Sequence, residues 1–239
     1  MKKMSKVIID GDIVAYRMAF ANKDKPLKIA LIEVDTFMSY ILSETSFYTD
    51  SGEYQVYLTG KGNFREEIAK TAVYKGNRKD AEKPVWLSAI RDHLVEAWDA
   101  EISCGQEADD LIAIEATKFG NRSVVASADK DMLQIPAFHF NFNTNVWKNV
   151  DEESGLKFFY TQILTGDAAD NIKGLYRVGP KKAEKILEGL VKEEDLWDAV
   201  LKAYDGDRER VIENARLLWL RREEGELWQP LDQRKQKAA

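Results

Sequence analysis

The sequence predicts an α/β fold, an open and mostly parallel sheet with helices on both faces, followed by a helical second half. Three observations carry this expectation. Short β-branched runs alternate with segments of helical periodicity, as a parallel sheet requires. Aspartates stand where those runs stop, and in open α/β sheets sites form at the carboxyl ends of strands. Beyond about residue 155 every apolar pattern has helical spacing, with no Pro/Gly-rich linker before it.

The elements follow in order. Residues 7–9 are a buried strand that stops at Asp10-Gly11-Asp12. Asp12 reads as the cap of a helix starting at Ile13; alternatively the strand runs on and Asp12 shares a face with Asp10. Residues 27–43 form a helix with Ile29, Ile32, Phe37, Tyr40 and Ile41 inward. A second strand covers 54–58, and 64–84 is charged and weakly periodic. Residues 86–98 are an amphipathic helix through Trp86, Ile90, Leu94 and Trp98. Another helix covers 107–119, with Leu111, Ile114 and Phe119 inward. Strands at 123–128, ending on Asp129, and at 137–143 complete the sheet. The second half predicts helices at 158–164, 180–190, 194–204 and 208–221. Leu217, Leu218, Trp219, Leu220 and Trp228 suggest a last helix and strand packed on the core.

With 239 residues, 44% of them apolar, the chain can bury a sizeable core. It has no apolar run near membrane length, and acids come too early for a signal peptide, so a soluble protein of a cytoplasm-like compartment is expected. The single Cys104 is expected as a buried small hydrophobe. A net charge of −6 argues at first against a nucleic-acid partner. The charge is segregated, however. Residues 61–83 hold seven Lys/Arg against four acids, and 173–192 hold six against two.

Four acidic clusters stand out: Asp10/Asp12, Glu107/Asp109/Asp110, Asp129/Asp131 and Asp167/Asp170. Glu107 and Asp110 share a helix face, as Asp167 and Asp170 could, and Asp129 and Asp131 can converge on a strand. Each cluster alone has a structural reading, as a helix cap or as acids favouring a helix dipole. Together, at the ends of separate elements, they would repel one another without a cation. Carboxylate oxygens suit hard divalent ions, and two such ions can clamp a phosphodiester. With only two histidines and one cysteine, zinc is not expected.

The motifs VIIDGD (7–12), NFREE (63–67), VYKGNRK (73–79), EADDLIA (107–113), VVASADKDMLQIP (124–136) and GDAADNIKGLYRVGPKKAEKIL (166–187) resemble, in order and spacing, the 5′-to-3′ exonuclease and flap endonuclease family, especially its small bacteriophage members. The resemblance implies a PIN-like nuclease core over 1–154 with a basic arch or clamp near 61–84. It implies a helix-three-turn-helix DNA-binding region over 155–205, leaving 206–239 as a C-terminal helix and tail. It implies metal-binding roles for Asp10, Glu107, Asp109, Asp110, Asp129, Asp131, Asp167 and Asp170, with Asp12 a further candidate. Two magnesium ions, replaceable by manganese, would activate a water. Lys75 and Arg78 would act at the scissile phosphate. Arg65, Lys75, Arg78, Lys79, Gly174, Gly179, Lys181, Lys182 and Lys185 would contact DNA, the last five from a duplex-gripping hairpin at 171–190.

The expected activity is removal of nucleotides or short pieces from 5′ ends, nicks or flaps of DNA, or of an RNA–DNA hybrid, in replication, recombination or repair. The protein would act as a monomer in a bacterial or phage-infected cytoplasm. A DNA-binding relative with weakened catalysis and a PIN-type ribonuclease are the rival readings. Two positions depart from the family pattern. Arg177 stands where the hairpin usually has a glycine, which bears on a potassium ion that members often hold there. Gly60 stands where many members have a metal-binding aspartate after the second strand.

Overall fold

The computed structural model describes residues 6–46, 52–78 and 82–237. In chain order the elements are β1 (Lys6–Asp10), α1 (Gly11–Ala21), α2 (Leu27–Ser46), β2 (Tyr54–Lys61), α3 (Phe64–Ile68), α4 (Leu87–Trp98), β3 (Glu101–Cys104), α5 (Ala108–Phe119), β4 (Ser123–Ala126), β5 (Ala137–Asn141) and β6 (Val146–Val150). Then come α6 (Glu152–Thr165), β7 (Gly166–Asp167), β8 (Ile172–Lys173), α7 (Pro180–Ile186), α8 (Glu193–Ala203), α9 (Arg208–Leu218) and α10 (Leu231–Lys237). The chain divides into two compact units, Met1–Asn63 with Glu82–Asp151, and Phe64–Ala81 with Glu152–Ala239.

The first unit is a six-stranded sheet in the order β3-β2-β1-β4-β5-β6. All neighbours run parallel except β5 and β6. β1 lies at the centre and is buried on both faces, which explains its unbroken Val7-Ile8-Ile9 run. Val7 and Ile9 share a core with α1, α2 and α4, through Val14, Val34, Met38, Ile90 and Leu94. α5 packs on β1, β2 and β4. The chain leaves β1 for β2 and β3, then crosses to β4 on the other side of β1. The strand order therefore reverses between β1 and β4.

Several details differ from the sequence expectation. β3 and β6 went unread because each buries only one residue, Ser103 and Val150. In α2 the inward set is Ala30, Val34, Met38, Ile41 and Thr45, so Ile29 and Ile32 face outward. In α5 Ile112 is buried and Leu111 only partly so. Cys104 is exposed, because on β3 the alternate residue Ser103 points inward.

The second unit is built around α6, whose Phe159, Tyr160 and Ile163 are fully buried against α7, α8 and α9. β7 and β8 form a short antiparallel pair. The segment expected as part of the nuclease core near 61–84 joins this unit over 64–81 instead. The cause is visible in hydrogen bonds. Arg65 donates to the carbonyls of Leu217 and Trp219, both at 2.9 Å, and Glu213 accepts from the amides of Lys70 and Thr71, both at 2.7 Å. The C-terminal residues also pack here, with the Trp219 ring edge-on to Phe159 at 4.8 Å. Helix α9 stops at Leu218, and among the described residues no strand follows it.

Candidate active site

Strand β1 ends at Asp10, whose side chain turns the chain into α1 by accepting from the Ile13 amide at 3.0 Å. Asp10, not Asp12, is the helix cap. Its other carboxylate oxygen accepts from the Ser127 hydroxyl at 2.6 Å, just past the end of β4. The Ser127 oxygen in turn accepts from the Asp129 amide at 2.9 Å, and Asp129 accepts from the Asp131 amide at 2.8 Å. A continuous hydrogen-bonded chain thus links Asp10, Ser127, Asp129 and Asp131 across the β1/β4 switch point. Asp10 is 1% exposed. Burial pushes its carboxyl up to about 7; the Ser127 and Ile13 hydrogen bonds oppose this, and the charges of Asp12 and Asp129 add to it.

Glu107 caps α5, and the Asp110 carboxylate reaches back to the Glu107 amide at 3.2 Å. Both are buried, and Asp109 is half-buried. These acids stand at the start of α5, directly after β3. Among the described residues, no three acidic, histidine or cysteine side chains are already gathered around one point. The donor set is nonetheless oxygen-only, and the two Asp10 oxygens each accept one hydrogen bond, leaving lone pairs for a hard cation.

Asp12 behaves otherwise. β1 ends before it, so it shares no strand face with Asp10. One oxygen is ion-paired with Arg91 and the other accepts from the Thr59 amide at 3.0 Å. Arg91 also donates to the Thr59 carbonyl, and the Thr59 hydroxyl accepts from the Ala108 amide at 2.9 Å. This end of β2 is closed by a guanidinium and a threonine.

Gly60 has its own reason. A Cβ there would lie 2.0 Å from the Ser103 carbonyl oxygen, beside a register shift between β2 and β3. The glycine is required by the close approach of the strands, and an aspartate would not fit without moving backbone.

In the second unit, Lys75, Arg78 and Asp170 come together. Arg78 pairs with Asp170 at 2.6 Å, Lys75 lies at 3.8 Å, and the Tyr74 hydroxyl donates at 2.9 Å. Asp167 accepts from the amides of Ala169 and Asp170 at 2.6 and 3.2 Å, a tight turn that holds Asp170 in place. Lys181, Lys182 and Lys185 are exposed along α7, without an ion pair among the described residues.

Two expected DNA contacts change meaning. Arg65 is 1% exposed and spent on backbone carbonyls, so it pins the 64–78 segment and does not face solvent. Gly174 is a packing glycine, since a Cβ would meet the Thr165 carbonyl carbon at 2.2 Å. Lys79 lies outside the described residues. Gly179, by contrast, has open space around it and no positive φ, so the fold does not demand a glycine there.

Sequence reasoning missed Ser127, Thr59 and Arg91. Ser127 carried a signal, as the only side chain able to donate a hydrogen bond between a buried strand and Asp129. Arg91 carried none, being one more polar residue on an amphipathic helix.

An independent family model, described as the N-terminal resolvase-like domain of 5′-3′ exonucleases, matches residues 5–162. A 5′-3′ exonuclease of Buchnera aphidicola is 27% identical over 84% of the chain and 76% of its own length. The flap endonuclease Xni of Vibrio campbellii is 32% identical over 60% of the chain and 62% of its own length. A crystal structure of the phage T5 D15 protein with metal ions superposes with a TM-score of 0.69, covering 90% of this chain and 89% of that one at 19% identity. The chain therefore belongs to the 5′-3′ exonuclease family, and it is a 5′ nuclease on the mostly parallel fold those relatives share.

Proposed function

We propose that the chain is a divalent-metal-dependent nuclease acting on 5′ ends, nicks and flaps of duplex DNA in replication, recombination or repair. The observation that carries this reading is the chain of Asp10, Ser127, Asp129 and Asp131 at the strand-order reversal, with a buried carboxylate pushed up to about 7. Such a group is costly to ionise unless a cation joins it.

Asp10, Glu107, Asp109, Asp110, Asp129 and Asp131 would hold magnesium, or manganese in its place. Asp167 and Asp170 are added by family motif, and two ions are the count the carboxylates suit. Asp12 is left out, because the Arg91 guanidinium already neutralises its charge, whereas Asp10 has only neutral partners. When bound, the ions supply charge to the phosphate and acidify a water. Ser127 and the Ile13 amide fix Asp10 with both oxygens partly free. Lys75 and Arg78, now resting on Asp170, would trade that carboxylate for phosphate oxygens and offset the charge developing there. Lys181, Lys182 and Lys185 would grip duplex phosphates as part of a helix-three-turn-helix element, without reading sequence. A potassium ion could use the same hairpin backbone, since Arg177 keeps the positive φ a glycine would take.

No helix among the described residues is long and apolar enough to cross a membrane. A monomer working in the cytoplasm fits this reading. The test is cleavage of end-labelled blunt, nicked and flapped DNA, and of an RNA–DNA hybrid, with magnesium, manganese or EDTA. Cleavage of the DNAs with either metal and none in EDTA is expected. Full turnover in EDTA would defeat the mechanism, and cutting of RNA alone would favour a PIN-type ribonuclease.

A further inference from the structure

Among the described residues, six non-glycine residues adopt positive φ: Lys75, Asp99, Asn145, Asn171, Arg177 and Asp205. Four are Asn or Asp, whose short polar side chains enter that region at little cost. The other two are long cations, and both lie in the basic segments. Lys75 already has a proposed task at the phosphate. Arg177 has none.

Arg177 sits at φ +58 in the turn between β8 and α7. The turn is closed by a hydrogen bond from the Val178 amide to the Leu175 carbonyl at 3.1 Å, which makes Tyr176 and Arg177 its two central residues. Positive φ at the third position of such a turn is the type II geometry, which favours glycine or asparagine. The ends of the turn are tied down: Leu175 and Val178 pack on the helical core, and the Leu175 amide donates to the Leu164 carbonyl at 2.8 Å. The tip is not. Tyr176 is 83% exposed, the most exposed large hydrophobic side chain described, and the Arg177 guanidinium stacks on its ring at 5.0 Å. A glycine at 177 and a small polar residue at 176 would satisfy the fold better. Strain held at a solvent-facing tip points to a task outside the fold. Lys173, Lys181, Lys182 and Lys185 are exposed in the same hairpin segment, so the partner that fits is polyanionic.

We propose that Tyr176 and Arg177 form a duplex-DNA contact, with Arg177 on a backbone phosphate and the Tyr176 ring holding the guanidinium and packing on the neighbouring sugar. This rests on the DNA-cleaving function proposed above. A stacked guanidinium is pre-organised and can bind phosphate in bidentate fashion, which adds what the flexible lysines lack.

The test is binding of a labelled duplex by the full chain, in EDTA, across a potassium chloride series, beside thermal melts. Arg177→Gly is expected to weaken binding about 3- to 10-fold and to lower the salt slope by about 0.9, one phosphate contact. Its melting temperature is expected to be no lower than wild type, because the turn loses its strain. Tyr176→Ala should weaken binding with the slope unchanged, and Arg177→Lys should keep the slope but lose affinity. The control is Lys181→Ala with Lys182→Ala and Lys185→Ala. If that triple variant loses affinity while Arg177→Gly binds like wild type at every salt concentration, this inference alone is overturned. If wild type itself does not bind duplex, the DNA-grip reading falls with it. A clearly lower melting temperature for Arg177→Gly would also overturn it, by giving the arginine a structural task.

Discussion

The acidic edge of the first unit and the basic segments of the second hold their charges in opposite ways. Asp10, Glu107 and Asp110 are buried and fixed by backbone amides and a serine hydroxyl. Lys181, Lys182, Lys185 and Arg177 are exposed, and Arg177 is held only by an aromatic face. Under the function proposed above, the difference follows from what each group would meet. A metal ligand has to be placed within tenths of an ångström, so its rotamer is locked by neighbours. A phosphate contact has to tolerate any sequence and some motion, so a solvated cation on a mobile stem suffices.

The sharpest way to break that comparison is Asp129→Ala with Asp131→Ala. If the edge does the chemistry and the cations do the gripping, cleavage disappears while duplex affinity is kept or rises, because repulsion against phosphate is relieved. Gel assays of cleavage with magnesium and of binding in EDTA read the two separately. Loss of both together would mean that the acids hold the fold and not the metal.

Asp10→Asn probes the burial itself. The folded carboxyl is raised to about 7 from an ordinary 3.8, so the folded protein binds this proton more tightly than the unfolded chain. Stability therefore falls as pH rises from about 4 to about 7, and the full burden is present above 7. Asparagine caps a helix as well as aspartate, and its amide can face the Ser127 oxygen, so the neutral variant keeps both contacts. In EDTA at pH 8 it should be more stable than wild type by about 1–4 kcal/mol. The gain should vanish near pH 4, and cleavage should be lost. Chemical denaturation at the two pH values checks this; equal stabilities at pH 8 would show that Asp10 ionises without penalty.

Much of this arrangement was legible in the sequence, and the failures share a cause. The central strand β1 announces itself because both its faces are buried and its middle, Val7-Ile8-Ile9, is an unbroken apolar run. β3 and β6 are edge strands with one buried residue each, so no buried apolar run marks them, even though β6 follows β5 directly in a hairpin. The acids could be read because they stand at element ends. Their allocation could not, since Asp10 and Asp12 differ by two positions and by everything around them. Arg91 decides the difference from a helix 79 residues away. Arg65 misled for the same reason: a cation in a basic run reads as solvated until the carbonyls of Leu217 and Trp219 are seen to take it inward.

The last two changes, of which Asp12→Asn has the smallest expected effect, test whether Asp12 stands in for an acid missing at Gly60. The structure gives both residues other work. Gly60 is where β2 comes against the Ser103 carbonyl, so Gly60→Asp should destabilise by roughly 2–4 kcal/mol and should not strengthen metal binding. Asp12 neutralises Arg91, whose side chain is 24% exposed against 21% for Asp12, so the pair is partly screened. Asp12→Asn keeps an oxygen for the Thr59 amide and loses only the charge. It should cost about 1 kcal/mol of stability. The magnesium concentration for half-maximal cleavage should stay where it is in wild type, because the charge removed belongs to an ion pair and not to a cation site. A magnesium titration of the cleavage rate decides between the two roles. A midpoint moved several-fold upward in Asp12→Asn, with stability unchanged, would return Asp12 to the metal and leave Arg91 as the bystander.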